Sequence, residues 1–344
     1  MLNDLERALL NNYQREFPLS PNPFRVIAEQ LGTDEGTVLD LLKKFRDSGV
    51  LSRIGPVFRP NTIGASTLAA VSVPKSGLVA VAGTISSFAE VNHNYEREHQ
   101  FNLWFVVNTA TPERRDAVLA EIERETGFNV MSLPLLRDYY INLGFDIDFS
   151  DAVPTPPVKL VPDQADSVAR HAYRPGHTRD LISALQAGLP LSRAPYAEIG
   201  SQTGMSECIV RKLIGNMLRA GAIKRFGVVV RHHELGYRAN AMCVWDVPDD
   251  EVDALGERLA EIPYITLCYR RPRQLPLWPY NLFCMIHGKD RTGVVAQIEG
   301  LVEELGLRHI PRDVLFSGRR FKQRGAFYRH HASPERDKVH TACG

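Results

Sequence analysis

Apolar residues in the N-terminal part of the chain recur at helical spacing. Three segments carry an apolar stripe of this period: residues 5–12, 23–31 and 38–45. A short break at residues 32–34 precedes the third, and we expect Thr33 to cap the helix that follows. A break of this kind before a third helix, followed by a short ribbon at residues 50–58, predicts a winged helix-turn-helix domain.

The pattern then changes to one that mixes two periods. Strand-like and helical runs follow one another in the order strand, helix, strand, strand, helix, strand, at residues 66–73, 78–88, 91–95, 103–108, 112–126 and 130–136. This βαββαβ order is the ferredoxin-like plan. The first half of the chain therefore predicts a winged domain followed by a ferredoxin-like domain.

The whole series then occurs a second time. The run SGVLSRIG at residues 48–55 reappears as AGAIKRFG at residues 220–227, a separation of 172 positions and half of the 344 residues. Further on, Asn102 matches Asn281 at a larger separation, because the second copy carries an insertion around Trp278. The second copy repeats the predicted elements at residues 182–187, 196–203, 208–220, 239–247, 251–262, 265–270, 282–287, 291–305 and 314–317. A repeat of this length indicates a tandem duplication.

We therefore predict an α+β protein, a tandem duplication of a winged helix-turn-helix and a ferredoxin-like domain. The predicted segments are a first winged domain (1–62), a first ferredoxin-like domain (63–150), a proline-rich linker (151–172), a second winged domain (173–235), a second ferredoxin-like domain (236–328) and a tail (329–344). We expect the two halves to pair as an internal pseudo-dimer. The sequence leaves open whether the chain also forms a homo-oligomer or joins further subunits.

Composition excludes several classes of protein. Lys and Arg total 41 against 40 Asp and Glu, so no basic excess points to nucleic acid. The five cysteines form no CxxC pair, which argues against a zinc knuckle, and their scattered placement favours a reducing compartment. The N-terminus lacks the apolar core of a signal peptide, and the most apolar stretch, residues 78–85, is too short to span a bilayer. We predict a cytoplasmic protein that does not bind membranes.

Two resemblances follow from the motifs. A winged helix-turn-helix followed by βαββαβ resembles the Lrp/AsnC family of feast/famine regulators, which bind DNA through the first domain and bind small molecules and assemble through the second. Six longer motifs look like the siroheme decarboxylases, in the fused form of the haem d-one pathway of denitrifying bacteria. They are FPL (17–19), RIG (53–55), HNYEREHQFNLWF (93–105), CYRRP (268–272), WPYNLFCMIHG (278–288) and FKQRG (321–325).

The second resemblance implies a reaction. Siroheme loses carbon dioxide from two acetate side chains, which become methyl groups, to give didecarboxysiroheme. No organic cofactor is expected, since the iron arrives with the substrate. A site for this flat polyanion needs apolar walls, cations for its carboxylates and a proton donor. The candidate substrate-binding residues are His93, Asn102, Trp104, Tyr269, Arg271, Arg273, Trp278 and Tyr280.

The candidate catalytic residues are Tyr95, Arg97 and His99. At a spacing of two on one strand they would share a face. His99 is the expected proton donor, because an imidazole pKa near ~6.5 permits transfer near neutral pH. The second copy has Arg273 at the position of His99, and arginine is a poor proton donor, so we expect the chemistry in the first copy.

Alternatives for these residues stay open. His99 could be a strand-end histidine bonded to a backbone carbonyl, and His99 or His93 could instead be an axial ligand of the substrate iron. We expect no metal site held by the protein itself, since the remaining histidines have no compact ligand spacing. We also expect Arg53 and Arg225 to fix the wings. A solvated face is the first expectation for the C-terminal cations, with a carboxylate clamp or a phosphate contact as alternatives; these cations are Arg319, Arg320, Lys322 and Arg324.

The competing hypothesis is an Lrp/AsnC-type transcriptional regulator, including one that senses a tetrapyrrole. The third helix of the first winged domain has acids at the end that would meet the bases, and phosphate repulsion makes it a poor reader of DNA. That of the second, with Glu207, Arg211, Lys212 and Arg219, does not decide between the two hypotheses. We therefore expect no DNA binding and winged domains that serve assembly. A haem-storage protein or chaperone is a third class; it would bind siroheme without releasing carbon dioxide.

Overall fold

The predicted elements occur in both halves of the computed structural model, which describes residues 2–59, 62–141, 147, 175–237 and 239–325. The predicted linker and tail lie outside these residues. The helices are α1 (Asp4–Asn12), α2 (Pro23–Leu31), α3 (Glu35–Asp47), α4 (Leu78–Ser87), α5 (Pro112–Thr126), α6 (Pro175–Gln186), α7 (Pro195–Thr203), α8 (Glu207–Arg219), α9 (Val252–Glu261) and α10 (Arg291–Glu304). The strands are β1 (Leu51–Phe58), β2 (Ala65–Val71), β3 (Val91–Arg97), β4 (Leu103–Thr109), β5 (Met131–Pro134), β6 (Arg137–Ile141), β7 (Ile223–Val230), β8 (Ala239–Trp245), β9 (Ile265–Arg270), β10 (Leu282–Gly288) and β11 (Arg312–Gln323).

Side-chain caps define where the helices of the first winged domain begin. Asn3 and Glu6 form a capping box at the start of α1, each side chain accepting from the other's backbone N–H. The predicted cap at Thr33 is wrong, because α3 begins one residue later than expected. Asp34 has extended backbone angles and its Oδ1 accepts from the backbone N–H of Thr37 at 3.0 Å.

The two winged domains pack together as one unit. Their apolar residues form a single core that includes Phe24 and Phe45 of the first half and Tyr196 and Phe226 of the second. The wings β1 and β7 pair antiparallel, with Gly55 opposite Gly227. A Cβ on Gly227 would lie 2.2 Å from the carbonyl oxygen of Tyr13, so the close approach of α1 to the wing requires glycine there.

The ferredoxin-like domains share one nine-stranded sheet in the order β5-β2-β4-β3-β11-β8-β10-β9-β6. The halves exchange strands: β6 of the first half pairs with β9 of the second, and the end of β11 pairs with β3. The sequence did not predict this exchange. Residues 137–141 and 319–323 carry no apolar alternation and are held by pairing with the other half.

Three apolar cores stabilise the sheet. Helices α4 and α5 cover the strands of the first half, and α9 and α10 cover those of the second. The third core lies between the halves and contains Trp104 together with Tyr269, Trp278 and Phe283. The halves therefore pair as the repeat predicts, since each buries its helix-free face against the other. Within the described residues, no helix has the length and apolar character needed to cross a membrane.

Candidate functional site

Strand β3 directs three polar side chains of the first half towards the space between the halves. His93, Tyr95 and Arg97 alternate with Asn94, whose Nδ2 donates to the carbonyl of Ala82 in α4 at 3.0 Å. The helix-facing positions of β3 are thus fixed by α4, and the alternate positions are free to line the interface. The sequence predicted that Tyr95 and Arg97 share a face, and they do.

Arg97 is a buried cation, only 9% exposed. Its Nη1 donates to the carbonyl of Leu315 at 2.8 Å and its Nη2 lies 3.8 Å from the sulfur of Met285. Among the described residues it forms no ion pair with a carboxylate, and its Nε has no hydrogen-bond partner. Burial lowers the pKa of Arg97 to about 10. A buried guanidinium without a counter-ion is costly, and an anionic ligand would offset that cost.

Two histidines, one from each half, lie beside buried cations. Burial and the charge of Arg53 lower the pKa of His93 to about 4, and burial and the charge of Arg97 lower the pKa of His287 to about 4. Both rings are therefore neutral near neutral pH. His287 Nδ1 lies 2.5 Å from Oδ1 of Asn240, and because an amide oxygen only accepts, Nδ1 carries the proton and Nε2 the lone pair. A neutral imidazole of this tautomer can bind iron.

Tyr95 lies next to His93, with the two rings stacked at 6.1 Å between centroids. Burial raises the pKa of Tyr95 to about 12, against the opposing charges of Arg320, Arg97 and Arg231. The phenol therefore keeps its proton at neutral pH. It can donate that proton to a bound carboxylate or to an anion formed during a reaction.

Three further arginines complete this cluster; the sequence offered Arg320 as an alternative carboxylate clamp and did not assign Arg53 or Arg231 to the site. Arg53 Nη2 donates to the carbonyl of Pro56 at 2.9 Å, which fixes the wing as predicted, but the side chain also faces His93. Arg231 donates to the carbonyl of Gly49 at 2.9 Å. Arg320 is the register partner of Tyr95 on β11; it is exposed, as the sequence predicts, and pairs with Glu234 at 2.8 Å.

The missed residues reach the site through contacts between the halves. His287 and Arg320 come from strands of the second half, and Arg53 and Arg231 come from the wings. One signal was present in the sequence, since His287 belongs to a quoted family motif and has no histidine counterpart in the first copy. We call the set His93, Tyr95, Arg97, His287, Arg53, Arg231 and Arg320 the first chamber.

The second half has an equivalent position that lacks histidine. Arg271 stacks over Tyr269 at 4.5 Å and its Nη1 donates to the carbonyl of Leu133, as Arg97 does to Leu315. The strand registers place Leu267 where the first half has His93, and the repeat places Asn108 where the second half has His287. We call the set Tyr269, Arg271, Leu267 and Asn108 the second chamber.

One acid also distinguishes the second chamber. Asp138 is the register partner of Tyr269, as Arg320 is of Tyr95. It pairs with Lys224 and lies 3.8 Å from Arg59. Of the two chambers, only the first therefore suits chemistry that needs an imidazole.

His99 does not lie on the strand, and the expectation that it continues the face of Tyr95 and Arg97 is wrong. Strand β3 ends at Arg97 because the chain bends there, with the backbone N–H of His99 donating to the carbonyl of Arg97 at 2.9 Å. His99 Nδ1 accepts from the backbone N–H of Phe101 at 3.0 Å, and Nε2 lies 3.5 Å from Oδ2 of Asp313. Burial lowers the pKa of His99, against the opposing charge of Asp313. The ring is bonded to the backbone, as the alternative expected, but to an N–H and not to a carbonyl.

Two other predicted substrate-binding residues have their polar groups engaged within the protein. The amide of Asn102 bonds both backbone groups of Val73, at 3.0 and 2.8 Å. Arg273 lies outside β9 and pairs with Asp246 at 2.8 Å and Asp249 at 2.7 Å. These contacts explain why both residues are poor candidates for holding a substrate carboxylate.

The predicted aromatic walls are brought together in the core between the halves. Trp278 lies 5.1 Å from Trp104 and 5.0 Å from Tyr280 between ring centroids. Trp278 reaches this position because its loop, the insertion of the second copy, folds back through paired backbone bonds between Gln274 and Trp278. The aromatic residues thus belong to the apolar core between the halves, which also contains Tyr269.

Comparisons with known proteins agree with this architecture. The model of the AsnC-like ligand binding domain matches residues 63–140 and 234–322, and that of the siroheme decarboxylase NirDL-like HTH domain matches residues 6–51 and 178–223. Both families therefore match once in each half.

Whole proteins match over nearly the full chain. The siroheme decarboxylase NirDL subunit of Paracoccus denitrificans is 40% identical over 332 residues, covering 94% of this chain and 97% of that protein. The siroheme decarboxylase of Hydrogenobacter thermophilus is 31% identical over 330 residues, covering 94% of each. A crystal structure of the siroheme decarboxylase NirDL in co-complex with an iron-uroporphyrin III analogue is similar with a TM-score of 0.64 at 25% identity, over 94% of this chain and 93% of that one. The chain therefore belongs to the fused NirDL-type siroheme decarboxylases, carboxy-lyases built from two helix-turn-helix and two AsnC-like domains.

Proposed function

We propose that this chain removes carbon dioxide from two acetate side chains of siroheme in the first chamber, giving didecarboxysiroheme for haem d-one biosynthesis. The observation that carries the proposal is the pair of neutral histidines, His93 and His287, among buried arginines in that chamber and not in the second. The relative crystallised with an iron-uroporphyrin analogue supports a tetrapyrrole as the ligand class.

Binding would rest on charge and on apolar contact. Arg97, Arg53 and Arg320 would hold carboxylates of the macrocycle, because guanidinium groups pair with carboxylates in a planar fork. The ring would lie against apolar residues of the core between the halves, such as Met285. Tyr269 and Arg271 lie next to Arg97 and would bound the far side of the chamber.

The reaction replaces a carboxylate with a proton. The bond between the acetate methylene and its carboxylate breaks, the electron pair stays on the methylene carbon conjugated with the macrocycle, and a proton gives the methyl group. In our proposal Nε2 of His287 binds the substrate iron, since the bond to Asn240 leaves its lone pair there. Tyr95 then supplies the proton, because its phenol is protonated at neutral pH, and the neutral ring of His93 stacked beside it would relay a proton back to it.

His99 and Arg273 would not take part in this chemistry. Their polar atoms are engaged with Phe101 and Asp313, and with Asp246 and Asp249. We assign His99 to holding the turn between β3 and β4. No bound cofactor beyond the iron of the substrate is needed for the proposed steps.

Anaerobic incubation with siroheme, followed by mass analysis of the extracted pigment, tests the proposal. Loss of two carbon dioxide units is the expected result. Loss of one unit would indicate that a further subunit is needed for the second step. A pigment that binds and stays unchanged would contradict the proposal and favour a storage or chaperone protein.

A further inference from the structure

The C-terminal end of β11 crosses from the second half onto the first. We call residues 319–325 the strap. It pairs with β3, with Arg320 opposite Tyr95 and Gln323 opposite His93. The strap thus runs alongside the residues to which the proposed function assigns proton transfer.

A lysine attaches the strap to a helix of the other half. Lys322 Nζ donates to the carbonyl of Ser86 at 2.5 Å and to the carbonyl of Phe88 at 2.8 Å, at the C-terminal end of α4. The last carbonyls of a helix lack partners within the helix and carry partial negative charge. An ammonium group there is therefore stabilised by hydrogen bonds to those carbonyls and by attraction to the helix dipole. Arg324 continues the attachment, since its backbone N–H donates to the carbonyl of Asn92 at 2.9 Å.

The strap also touches the wing. A Cβ on Gly325 would lie 2.7 Å from Nη1 and 3.0 Å from Cζ of Arg53, so the backbone of the strap rests directly against that guanidinium. Arg53 in turn faces His93. The position of the strap therefore determines where Arg320 and Arg53 can lie.

We propose that Lys322 is a positioning residue of the first chamber: by capping α4 of the other half, it fixes the strap that holds Arg320 beside Tyr95 and Arg53 beside His93. The inference rests on the proposed function for its substrate. Lys322 itself touches the carbonyls of α4 and acts through the strap. Its loss should weaken substrate binding and leave the chemical step largely intact.

The test compares Lys322→Met, which keeps the side-chain length and removes the donor, with Lys322→Arg and with Arg319→Gln. Arg319 is an exposed cation of the same strap. We expect Lys322→Met to raise the KM and the Kd for siroheme about tenfold, as for loss of a charge-assisted hydrogen bond, with kcat within about twofold of wild type. Lys322→Arg should restore most of the affinity, and Arg319→Gln should match wild type.

Hydrogen exchange provides the readout that locates the effect. Amides of the strap should exchange faster in Lys322→Met, while those of β8 and β10 stay protected. Should Lys322→Met fail to fold, Gly325→Ala tests the same geometry, because its methyl group displaces Arg53 with the cap on α4 intact; it should also raise the KM.

The outcomes separate the two proposals. The positioning role is overturned if Lys322→Met or Gly325→Ala binds siroheme as tightly as wild type, or if Lys322→Arg does not recover affinity. The proposed function is upheld in those cases if the wild-type protein forms product. If Lys322→Met binds the pigment more weakly and neither wild type nor any variant forms product, the proposed function is overturned and the positioning role stands.

Discussion

Individual residues show best how the two chambers differ. The halves keep the same tyrosine and arginine, and they diverge at the positions of His93, His287 and Arg320. The natural counterparts in the other half therefore suggest substitutions that fit the local packing. These variants test the chemistry without relying on truncation to alanine.

His287→Asn introduces the residue found at the equivalent position of the first copy, Asn108. If His287 binds the substrate iron, the absorption spectrum of bound siroheme should shift and turnover should fall by at least about a hundredfold, as for loss of a metal ligand or its support. An anaerobic titration followed by single-turnover mass analysis measures both. A wild-type spectrum with normal product would exclude ligation by His287.

His93→Leu introduces the residue of the second chamber, Leu267, and it should change the dependence of stability on pH. The pKa of His93 is lowered on folding to about 4 from an ordinary value near 6.5, so the unfolded chain binds more protons between those values. Stability of the ligand-free protein should therefore fall as the pH is lowered from about 6.5 to 4, and the slope should be smaller in the variant. Thermal unfolding across that range measures it; equal slopes would contradict a neutral buried His93.

His99→Ala should retain turnover within a few-fold of wild type and lower the thermal midpoint. The reason is that its ring holds the turn after β3 through Phe101 and Asp313 and has no contact with Tyr95 or Arg97 among the described interactions. Steady-state kinetics and thermal unfolding distinguish this from the sequence-based expectation. Complete loss of product with pigment binding intact would restore His99 as the proton donor.

The sequence could identify the site residues that share one strand, but not those that reach the site through pairing between the halves. His93, Tyr95 and Arg97 lie on one strand, so their shared face follows from a period of two. His287 and Arg53 reach the same place only through pairing between the halves and between the wings, which no local pattern encodes. His99 was misplaced because a bend stabilised by backbone hydrogen bonds ends the strand two residues earlier.

At the scale of elements, long periodic segments were predicted well. Helices α2 and α5 have the predicted bounds, because each has a glycine in the left-handed region at its end and a proline at its start. The exchanged strand β6 and the far end of β11 were missed, since their stability comes from the partner half.

The recognition helices carry the prediction that this chain does not bind DNA. Glu35 at the start of α3 lies 3.6 Å from Arg193, and Arg211 of α8 pairs with Glu207 and donates to the carbonyl of Leu19. Of the three cations on α8, Arg211 is thus engaged within the protein, while Lys212 and Arg219 are exposed. The start of α3 is acidic. A salt-dependent, sequence-specific footprint on duplex DNA would contradict the prediction.

Gly227→Ala should disrupt the pairing of the wings, and Gly55→Ala on the opposite strand is its matched control. The added methyl group lies 2.2 Å from the carbonyl of Tyr13 in the first variant, and no closer than 3.4 Å to any atom in the second. We expect Gly227→Ala to cost at least about 1–3 kcal/mol, as for overpacking, and Gly55→Ala to cost less. Chemical denaturation measures both; equal effects would contradict the close approach of α1.

At the scale of the whole molecule, the two halves depend on each other for the first chamber. His93 and Tyr95 come from the first half, and His287 and Arg320 come from the second. The net charge of +1 hides this concentration of cations at one place. The near balance that gave no indication of nucleic acid is compatible with a strongly cationic interior site.

Residues 1–150 and 173–344 expressed as separate chains should each fail to bind siroheme, and the two together should recover binding. Residues 1–150 lack three residues of the first chamber and residues 173–344 lack four. Each fragment also leaves exposed a strand edge and the apolar face between the halves. Co-expression with a tag on one chain, followed by absorption titration, measures recovery. Binding by either chain alone would contradict a chamber shared between the halves.

The reciprocal strand exchange has a consequence for how this protein can change over evolutionary time. In a dimer of identical subunits, every substitution appears in both symmetry-related cavities, so a gain in one cannot be separated from its cost in the other. A single polypeptide that supplies both partners removes that restriction. One side can carry Leu267 and Asp138 where the opposite side has a histidine and an arginine, which lets one site specialise and the other serve as scaffold.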